Sequence, residues 1–387
     1  MIYLDNSATT KMCDAALSRF CEVARDTFGN PSSRHAVGTA AHTALENARR
    51  TVLHALGAPD GEIIFCGSGS EADNLAILGR AEAKERYRRG AKILTTAGEH
   101  SAVAEPLRKL EGEGFRVAYI PTRGGVLDRE FIEREMTPDV ILVTAMTVNN
   151  ETGAVYDVPY LARVMKRKSP EAILHVDATQ GFLQAPFSAR SMGASMVTVS
   201  AHKVEGPKGV GALFIARDTL KKRGIAPRIL GGGQEGGLRS GTENLPAIAA
   251  FAAAVEYRLK NLAAFTEKTE SLRAYLCERL TADARLSEVR PVLPPVASPH
   301  ILSLTMPRIK SETMLNFLSA RNICVSNGSA CSSHEKHLSR ALLAFGLPEA
   351  DVDCTIRVSL SHCNERDELD CFLDALADGV AHLSRIR

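Results

Sequence analysis

Residues 172–180 read AILHVDATQ, in which a short and mostly apolar run, AILHVDA (172–178), ends close to a carboxylate. An apolar run of this length, without polar alternation, predicts a strand that is buried on both faces of a sheet. Asp177 closes the run, and a carboxylate in that place needs a cationic or hydrogen-bonding partner. The stretch therefore predicts an inner strand of a covered sheet, with a charged group at its end.

Six further apolar runs surround this one between residues 60 and 220, and helical patterns separate several of them. Such alternation predicts an α/β fold, in which helices cover both faces of a mostly parallel sheet. Counting the first stretch, we expect seven buried strands. The six other runs are EIIFC (62–66), KILTT (92–96), FRVAYI (115–120), DVILVTAM (139–146), ASMVTVS (194–200) and VGALFIA (210–216).

The pattern changes near residue 250. Residues 245–280 have the spacing of one long helix or two, long enough to bridge two domains. Shorter strand patterns and a final helix follow, which predicts a smaller α+β domain. We expect a large domain at 15–255, and a small domain formed by 1–14 together with 256–387.

Composition excludes several classes of protein. The chain has 387 residues, of which 45% are hydrophobic and 24% charged, as in an ordinary globular enzyme. A net charge of +2 favours neither a nucleic acid nor an anionic membrane as partner. No apolar run has the length of a membrane helix, and the first residues lack the pattern of a secretory signal. We expect a cytoplasmic protein without a membrane or nucleic-acid partner.

The nine cysteines form no C-x-x-C pair, and their spacing is irregular. Neither a disulfide framework nor a structural metal site is expected from such a pattern. We predict no metal, and we expect most of these thiols to be small buried side chains.

Several loops that follow predicted strands carry polar groups. CGSGSEADN (66–74) joins a strand to a helix, so amides near Gly69 and Ser70 are placed to bind a phosphate, although a flexible turn is the simpler interpretation. His100 follows another strand, where a packed or solvated histidine is common. Asn149 and Asn150 in TVNNETG (147–153) are also ordinary turn formers.

The most unusual loop is VSAHKVEGPKG (199–209), where Ser200, His202 and Lys203 come directly after an apolar run. Together with Asp177 and the glycine-rich loop, it fits pyridoxal 5′-phosphate. That cofactor needs a lysine for an imine, a carboxylate for its ring nitrogen, and hydroxyls and amides for its phosphate. Lys208 is the rival lysine, but its place in the GPKG turn suits a structural or substrate-facing role better.

Motifs along nearly the whole chain resemble the cysteine desulfurases of the class V aminotransferase family. The resemblance implies the fold type I architecture of pyridoxal-phosphate enzymes, with a mostly parallel, mixed seven-stranded sheet in the large domain and a smaller α+β domain. It also implies a homodimer. The motifs are YLDNSATT (3–10), GNPSSRH (29–35), SGSEADN (68–74), EHSAV (99–103), VNNETG (148–153), HVDATQ (175–180), SAHKVEGPKGVGAL (200–213), GGGQEGGLRSGTEN (231–244), SNGSACSS (326–333) and IRVSL (356–360).

The family's cofactor-binding roles carry over by position. Lys203 resembles the Schiff-base lysine, and Asp177 resembles the partner of the pyridinium nitrogen. His100 matches the imidazole that stacks on the ring and helps to move protons, and Gln180 matches the partner of the ring hydroxyl. The phosphate ligands implied by the resemblance are Gly69, Ser70, Ser200, His202 and, from the other subunit of the dimer, Thr242.

The resemblance also assigns the substrate groups. Asn150 and Arg357 match the residues that hold the carboxylate of L-cysteine, a task that suits the bidentate fork of arginine. Cys331 matches the cysteine that attacks the substrate sulfur and becomes a persulfide, leaving L-alanine. Its run of small polar residues, SNGSACSSHEKH (326–337), predicts a mobile loop, and we interpret His334 and His337 as solvated.

Two departures from the family pattern keep alternatives open. After IRVSL the chain reads SHCNERDE (361–368) instead of the usual glycine, arginine and threonines, and Glu205 replaces a residue that is commonly apolar or aromatic. We expect a desulfurase that passes sulfur to an acceptor protein, such as an iron–sulfur scaffold or a thiolation enzyme. The alternatives are a selenocysteine lyase, another pyridoxal-phosphate lyase or aminotransferase, and a weakly catalytic homologue that binds a partner.

Overall fold

The computed structural model describes residues 1–58, 60–83, 91–327 and 338–383. Its centre is a seven-stranded sheet in the order β2-β8-β7-β6-β5-β3-β4. β8 is antiparallel to both of its neighbours and all other neighbours are parallel, which confirms the predicted mixed sheet. The strands are β2 (Gly61–Cys66), β3 (Lys92–Thr96), β4 (Arg116–Ile120), β5 (Val140–Met146), β6 (Ile173–Asp177), β7 (Met196–Ser200) and β8 (Gly211–Ala216).

Helices cover both faces of this sheet, which is why its inner strands are continuous apolar runs. Every residue of β3, β5, β6 and β7 is buried. α3 and α4 pack on one face, and α1, α2, α6 and the first third of α8 pack on the other. The helices are α1 (Asp14–Asp26), α2 (Ala36–Ala55), α3 (Gly69–Glu82), α4 (Ser101–Gly112), α5 (Arg129–Glu135), α6 (Val158–Lys168), α7 (Arg217–Lys221) and α8 (Leu245–Ala282).

A second, four-stranded antiparallel sheet has the order β12-β13-β10-β9, and a short parallel pair joins β1 to β11. α12 packs on this part of the molecule through an apolar stripe that includes Leu369, Phe372 and Leu376. The remaining elements are β1 (Ile2–Tyr3), β9 (Arg290–Val292), β10 (Ile301–Thr305), β11 (Ile323–Cys324), β12 (Ser326–Asn327), β13 (Thr355–Ser359), α9 (Ser311–Ser319), α10 (Arg340–Phe345), α11 (Glu349–Val352) and α12 (Arg366–Leu383).

α8 connects the two sheets as one helix of 38 residues, so the long pattern at 245–280 does not break. Asn244 caps it by accepting a hydrogen bond from the amide of Ala247 (3.4 Å). Its first third joins the core of the large sheet, whereas Leu272, Leu276 and Leu280 join the core of the small one. The domain boundaries stay a prediction. Across the described ranges, no helix is long and apolar enough to cross a membrane.

Candidate active site

Four neighbouring strands of the large sheet end at the same edge. β3 ends at Thr96, β5 at Met146, β6 at Asp177 and β7 at Ser200. Because these strands are parallel, the loops that follow them meet at their carboxyl ends, where α/β sheets bind ligands. The predicted site residues of four separate loops therefore lie in one region.

Lys203 ends a single helical turn, Ala201–Lys203, that follows β7 directly. Its ammonium group donates hydrogen bonds to the carbonyl oxygens of Ser7 and Ala8, the second at 2.9 Å. The N-terminal segment thus holds this half-buried side chain at the sheet edge. Lys208 is exposed. The two lysines therefore differ in burial, and the half-buried one, Lys203, is the predicted cofactor lysine.

Asp177 is only 6% exposed, and its carboxylate accepts a hydrogen bond from the amide of Thr179 at 2.9 Å. Gln180 lies in the same turn and is also buried. Its amide nitrogen donates to the carbonyl of Ser7 (2.9 Å), and its amide oxygen lies 3.3 Å from Nε2 of His300. Hydrogen bonds within the protein therefore hold the side chains of Asp177 and Gln180 in place.

His100 caps α4, because its Nδ1 accepts a hydrogen bond from the amide of Ala102 at 3.1 Å. Burial lowers the pKa of this imidazole below its ordinary value. The nearby Asp177 opposes that shift, whereas the positive charges of Lys203 and Arg357 add to it. At neutral pH His100 is a neutral ring among the other predicted site residues, which suits stacking on a planar cofactor.

The turn between β2 and α3 lies against the end of β7. A Cβ atom built on Gly69 lies 3.2 Å from Cβ of Ser200 and 3.4 Å from Oγ1 of Thr179, so the first turn of α3 lies directly against these two side chains. The hydroxyl of Ser200 is buried and has no hydrogen-bond partner among the described residues. A buried hydroxyl beside a helix N-terminus is suited to binding an anion.

The other predicted phosphate ligands differ in exposure. Ser70 is exposed and lines a cavity of about 340 Å³ together with Arg228 and Arg239. His202 is half-buried, and its Nδ1 lies 3.2 Å from the hydroxyl of Thr9. Burial first, and then the charges of Lys203 and Lys208, lower the pKa of His202 to about 4. It is therefore neutral, and it can contribute a hydrogen bond but not a charge.

Arg357 on β13 reaches the same region from the small sheet, and its side chain is nearly buried. Its Nη1 donates to the backbone carbonyl of Asn150 (2.8 Å), and its Nη2 pairs with the carboxylate of Asp5 (3.1 Å). The Nε atom has no hydrogen-bond partner in the described part of the chain. The structure therefore brings together Asn150 and Arg357, the two residues that are predicted to hold the substrate carboxylate.

A buried polar cluster that the sequence did not indicate lies behind Asp177. The ring nitrogens of His175 lie 2.9 Å from the hydroxyl of Thr144 and 3.0 Å from that of Thr198, and Nε2 is 3.5 Å from the carboxyl of Asp73. Burial lowers the pKa of His175 to about 4. Burial first, and then the charge of Asp177, raise the pKa of Asp73 well above its usual range. His175 is thus neutral, and its contacts with Thr144 and Thr198 join β6 to its neighbours β5 and β7.

The N-terminal segment is the main functional element that strand patterns missed. Ser7 and Ala8 accept from Lys203, and Asp5 pairs with Arg357. The motif YLDNSATT marks this segment, but no periodicity in it predicts contact with residues about 200 and 350 positions away.

Thr242 and Cys331 are the two remaining predicted residues. Thr242 is exposed in the loop before α8. Cys331 lies outside the described residues, as do His334 and His337. Their predicted roles are not tested by the fold of one chain.

The residues present fit pyridoxal 5′-phosphate. The unpartnered hydroxyl of Ser200 and the close approach at Gly69 suit its phosphate. Asp177 offers a buried carboxylate for a ring nitrogen, and Lys203 offers an amine at the same sheet edge. The donor set matches the three requirements of this cofactor.

Comparison with known proteins identifies the family. The class-V aminotransferase family model matches residues 2–372, and the chain therefore belongs to that family. Its members generally depend on pyridoxal phosphate. The sequence resemblance to this family is confirmed.

Similar proteins include several named as desulfurases. The chain is 35% identical to a cysteine desulfurase of Trichormus azollae, over 99% of this chain and 94% of that protein. It is 34% identical to a cysteine desulfurase IscS of Dictyoglomus turgidum, over 100% and 96%. Among solved structures, a NifS-like protein superimposes with a TM-score of 0.90 at 34% identity, over 99% of this chain and 100% of that one.

Proposed function

We propose that this protein is a cysteine desulfurase that uses pyridoxal 5′-phosphate. It converts L-cysteine into L-alanine and transfers the sulfur to Cys331. The observation that carries this proposal is the convergence of Lys203, Asp177, Ser200 and Arg357 at one sheet edge. The similarity to proteins named cysteine desulfurase supports it.

Each group has a distinct task. The N–H groups of Arg357 hold the substrate carboxylate beside Asn150. Asp177 would hold a proton on the ring nitrogen of the cofactor, Lys203 would hold the cofactor itself, and Ser200 and the amides near Gly69 would hold its phosphate. When bound, the cofactor supplies an electron sink for the substrate carbon.

The sulfur step conserves atoms and charge. The thiolate of Cys331 attacks the substrate sulfur, forming an S–S bond while the Cβ–S bond breaks. The bonding electron pair stays with the carbon, which takes up a proton and leaves as alanine. One L-cysteine and one thiol thus give one L-alanine and one persulfide, and no external oxidant or reductant is needed.

A product assay tests this function. Purified protein loaded with pyridoxal phosphate is given L-cysteine and a thiol reductant, and alanine and sulfide are measured. Equal amounts of alanine and sulfide are expected. Pyruvate and ammonia instead of alanine would contradict the proposal and indicate β-elimination. Selenocysteine turned over while L-cysteine is left unchanged would indicate a selenocysteine lyase.

We expect Arg357→Lys to raise KM for L-cysteine about 10- to 100-fold, with a much smaller change in kcat. A lysine keeps the charge but loses the planar fork, and a charged hydrogen bond contributes about 1.5–3 kcal/mol. Initial rates over a range of cysteine concentrations measure this effect. Any activity with cysteamine, which has no carboxylate, should not show the KM increase.

Arg290→Lys is the matched control for this prediction. Arg290 lies on the same small sheet and pairs with Asp351 at 3.0 Å, but it is exposed. The KM of the Arg290→Lys variant for L-cysteine should stay within about twofold of the KM of the unsubstituted protein. An unchanged KM in Arg357→Lys would show that another group binds the carboxylate.

The predicted homodimer belongs to this proposal. Thr242 is exposed beside a loop that also exposes Leu230 (80%) and Ile229 (40%). Exposed apolar residues in one loop are suited to a subunit interface, and Thr242 would there reach the phosphate of the other subunit. Light scattering gives the molar mass, and a monomer carrying full activity would contradict the shared site. The sulfur acceptor and the cytoplasmic location stay predictions.

A further inference from the structure

Glu205, two residues after the cofactor lysine, is an unusual side chain in an unusual conformation. It is a carboxylate with 6% exposure, and its backbone φ of 62° lies in the left-handed region that residues other than glycine seldom adopt. Its amide donates to the hydroxyl of Thr10 (2.9 Å), and its carbonyl accepts from the amide of Cys13 (3.0 Å). Surrounding contacts must therefore hold this residue in place.

Arg258 of α8 supplies the opposite charge. It is 4% exposed, and its Nη1 donates to the Glu205 carboxylate at 2.8 Å. The remaining bonds of its fork go to the loop after β6. Nε and Nη2 donate to the carbonyl of Leu183 (3.2 and 2.9 Å), and Nη2 also donates to the side-chain oxygen of Gln184 (3.1 Å). Leu183 also has a left-handed φ, of 56°, so Arg258 binds two strained positions.

Gln184 extends this network to the lysine itself. Its side-chain amide donates to the backbone carbonyl of Lys203 at 3.3 Å. Arg258 therefore acts on both sides of the lysine. It holds the carbonyl of Lys203 through Gln184, and it holds the following turn through Glu205. Lysine or methionine cannot reproduce this, because neither has a planar fork with several donors.

The altered turn after β13 reaches the same cluster. Nδ1 of His362 lies 3.3 Å from the carboxylate of Glu205, although the orientation of the ring does not allow a hydrogen bond between them. The ring stacks on Phe265 of α8, with centroids 3.5 Å apart and planes 6° from parallel. Burial first, and then Arg258 and Lys268, lower the pKa of His362 to about 4, so the ring is neutral. The two departures from the family pattern are thus in contact.

We propose that Arg258 is a positioning residue for Lys203. In this chain a polar cluster of Glu205, Arg258, Gln184 and His362 replaces apolar packing and sets the geometry of the lysine turn. The inference rests on the proposed function, because it assigns Lys203 to the cofactor. The hydrogen bonds that the structure describes for Arg258 go to Glu205, Leu183 and Gln184, so it acts on Lys203 through the turn.

Gln184→Leu is the sharper test. It removes the bridge to the Lys203 carbonyl, changes no charge, and leaves the Glu205–Arg258 pair intact. We expect kcat to fall about tenfold or more, as a small displacement of a reacting group does, while KM for cysteine stays within about twofold. The circular dichroism of the bound cofactor's absorption band, which reports its orientation, should change as well.

Arg258→Met should give a larger loss of kcat, about 10- to 100-fold, with the same change in the cofactor band. The double variant Glu205→Leu/Arg258→Leu removes both charges and should recover much of the thermal stability that Arg258→Met loses. It should not recover kcat. Arg80→Met is the matched control, since Arg80 is fully buried and donates to the carbonyls of Ile141 (3.1 Å) and Gly224 (3.2 Å) instead.

The control should lower the melting temperature and leave the cofactor band unchanged. If Gln184→Leu leaves both kcat and the band unchanged, the positioning role is wrong. Recovery of kcat in the double variant would also overturn it, because apolar packing would then suffice. Should Arg258→Met fail to fold, Gln184→Leu decides alone. If the proposed function itself is wrong, the outcome is different, because the unsubstituted protein would then form no alanine from L-cysteine.

Discussion

Lys203→Ala is expected to reduce alanine formation from L-cysteine by about 10³-fold or more. The substitution removes the amine that we propose holds the cofactor and moves protons at the substrate carbon, and such proton transfers each contribute about 10²–10⁴-fold. The fold should persist, because the bonds that the side chain donates to the carbonyls of Ser7 and Ala8 contribute about 1 kcal/mol each. Single-turnover assays measure the loss.

Lys208→Ala is the matched control, since Lys208 is five positions away in the same loop but exposed. Its activity should stay within about threefold of the original. Borohydride reduction of the loaded protein, followed by peptide mass spectrometry, should place the cofactor on Lys203. A label on Lys208, or an unlabelled protein, would remove the basis of the proposed mechanism.

Cys331→Ser is expected to abolish sulfide release, by about 10³-fold or more, while the cofactor stays bound. A hydroxyl is a far weaker nucleophile than a thiolate and cannot form a persulfide. Retention of the cofactor follows because its predicted contacts lie at the sheet edge. The measurement pairs a sulfide assay with the absorption spectrum of the bound cofactor.

Cys371→Ser controls for a general loss of thiols, because Cys371 is an exposed thiol on α12. It should release sulfide at the original rate. Radiolabelled sulfur from L-cysteine should appear on Cys331 in the original protein and on no residue of Cys331→Ser. Label retained at another cysteine would move the persulfide role to that residue.

The strands of the large sheet were the elements that the sequence predicted most accurately. All seven predicted strands are present, with ends that differ by at most two residues, because inner strands that are covered on both faces must be apolar throughout. The prediction that all seven are buried was wrong for β4, an edge strand on which Arg116 and Tyr119 are exposed. α1 and α2 are not among the predicted elements. The buried stripe of α2 includes Gly38, Ala41 and Ala48, and such small residues give a weak periodic signal although they pack tightly.

The site could be predicted in part for a related reason. Asp177 ends a buried strand, and His100 and Lys203 follow two others, so parallel topology alone brings them to one edge. Asp5, Arg258 and Gln184 have no such local signal. Their roles depend on which distant segments touch, as in the contact of Glu205 with His362, 157 positions later.

The α/β class, the seven strand segments and the chemical groups at the strand ends could be predicted from the sequence alone, because these depend on local periodicity and residue type. Only the tertiary structure decided which groups support Lys203 and Arg357. Those supports come from the N-terminal segment, α8 and the turn after β13. Contacts between segments so far apart depend on how the two sheets pack against each other, and no local pattern records that packing.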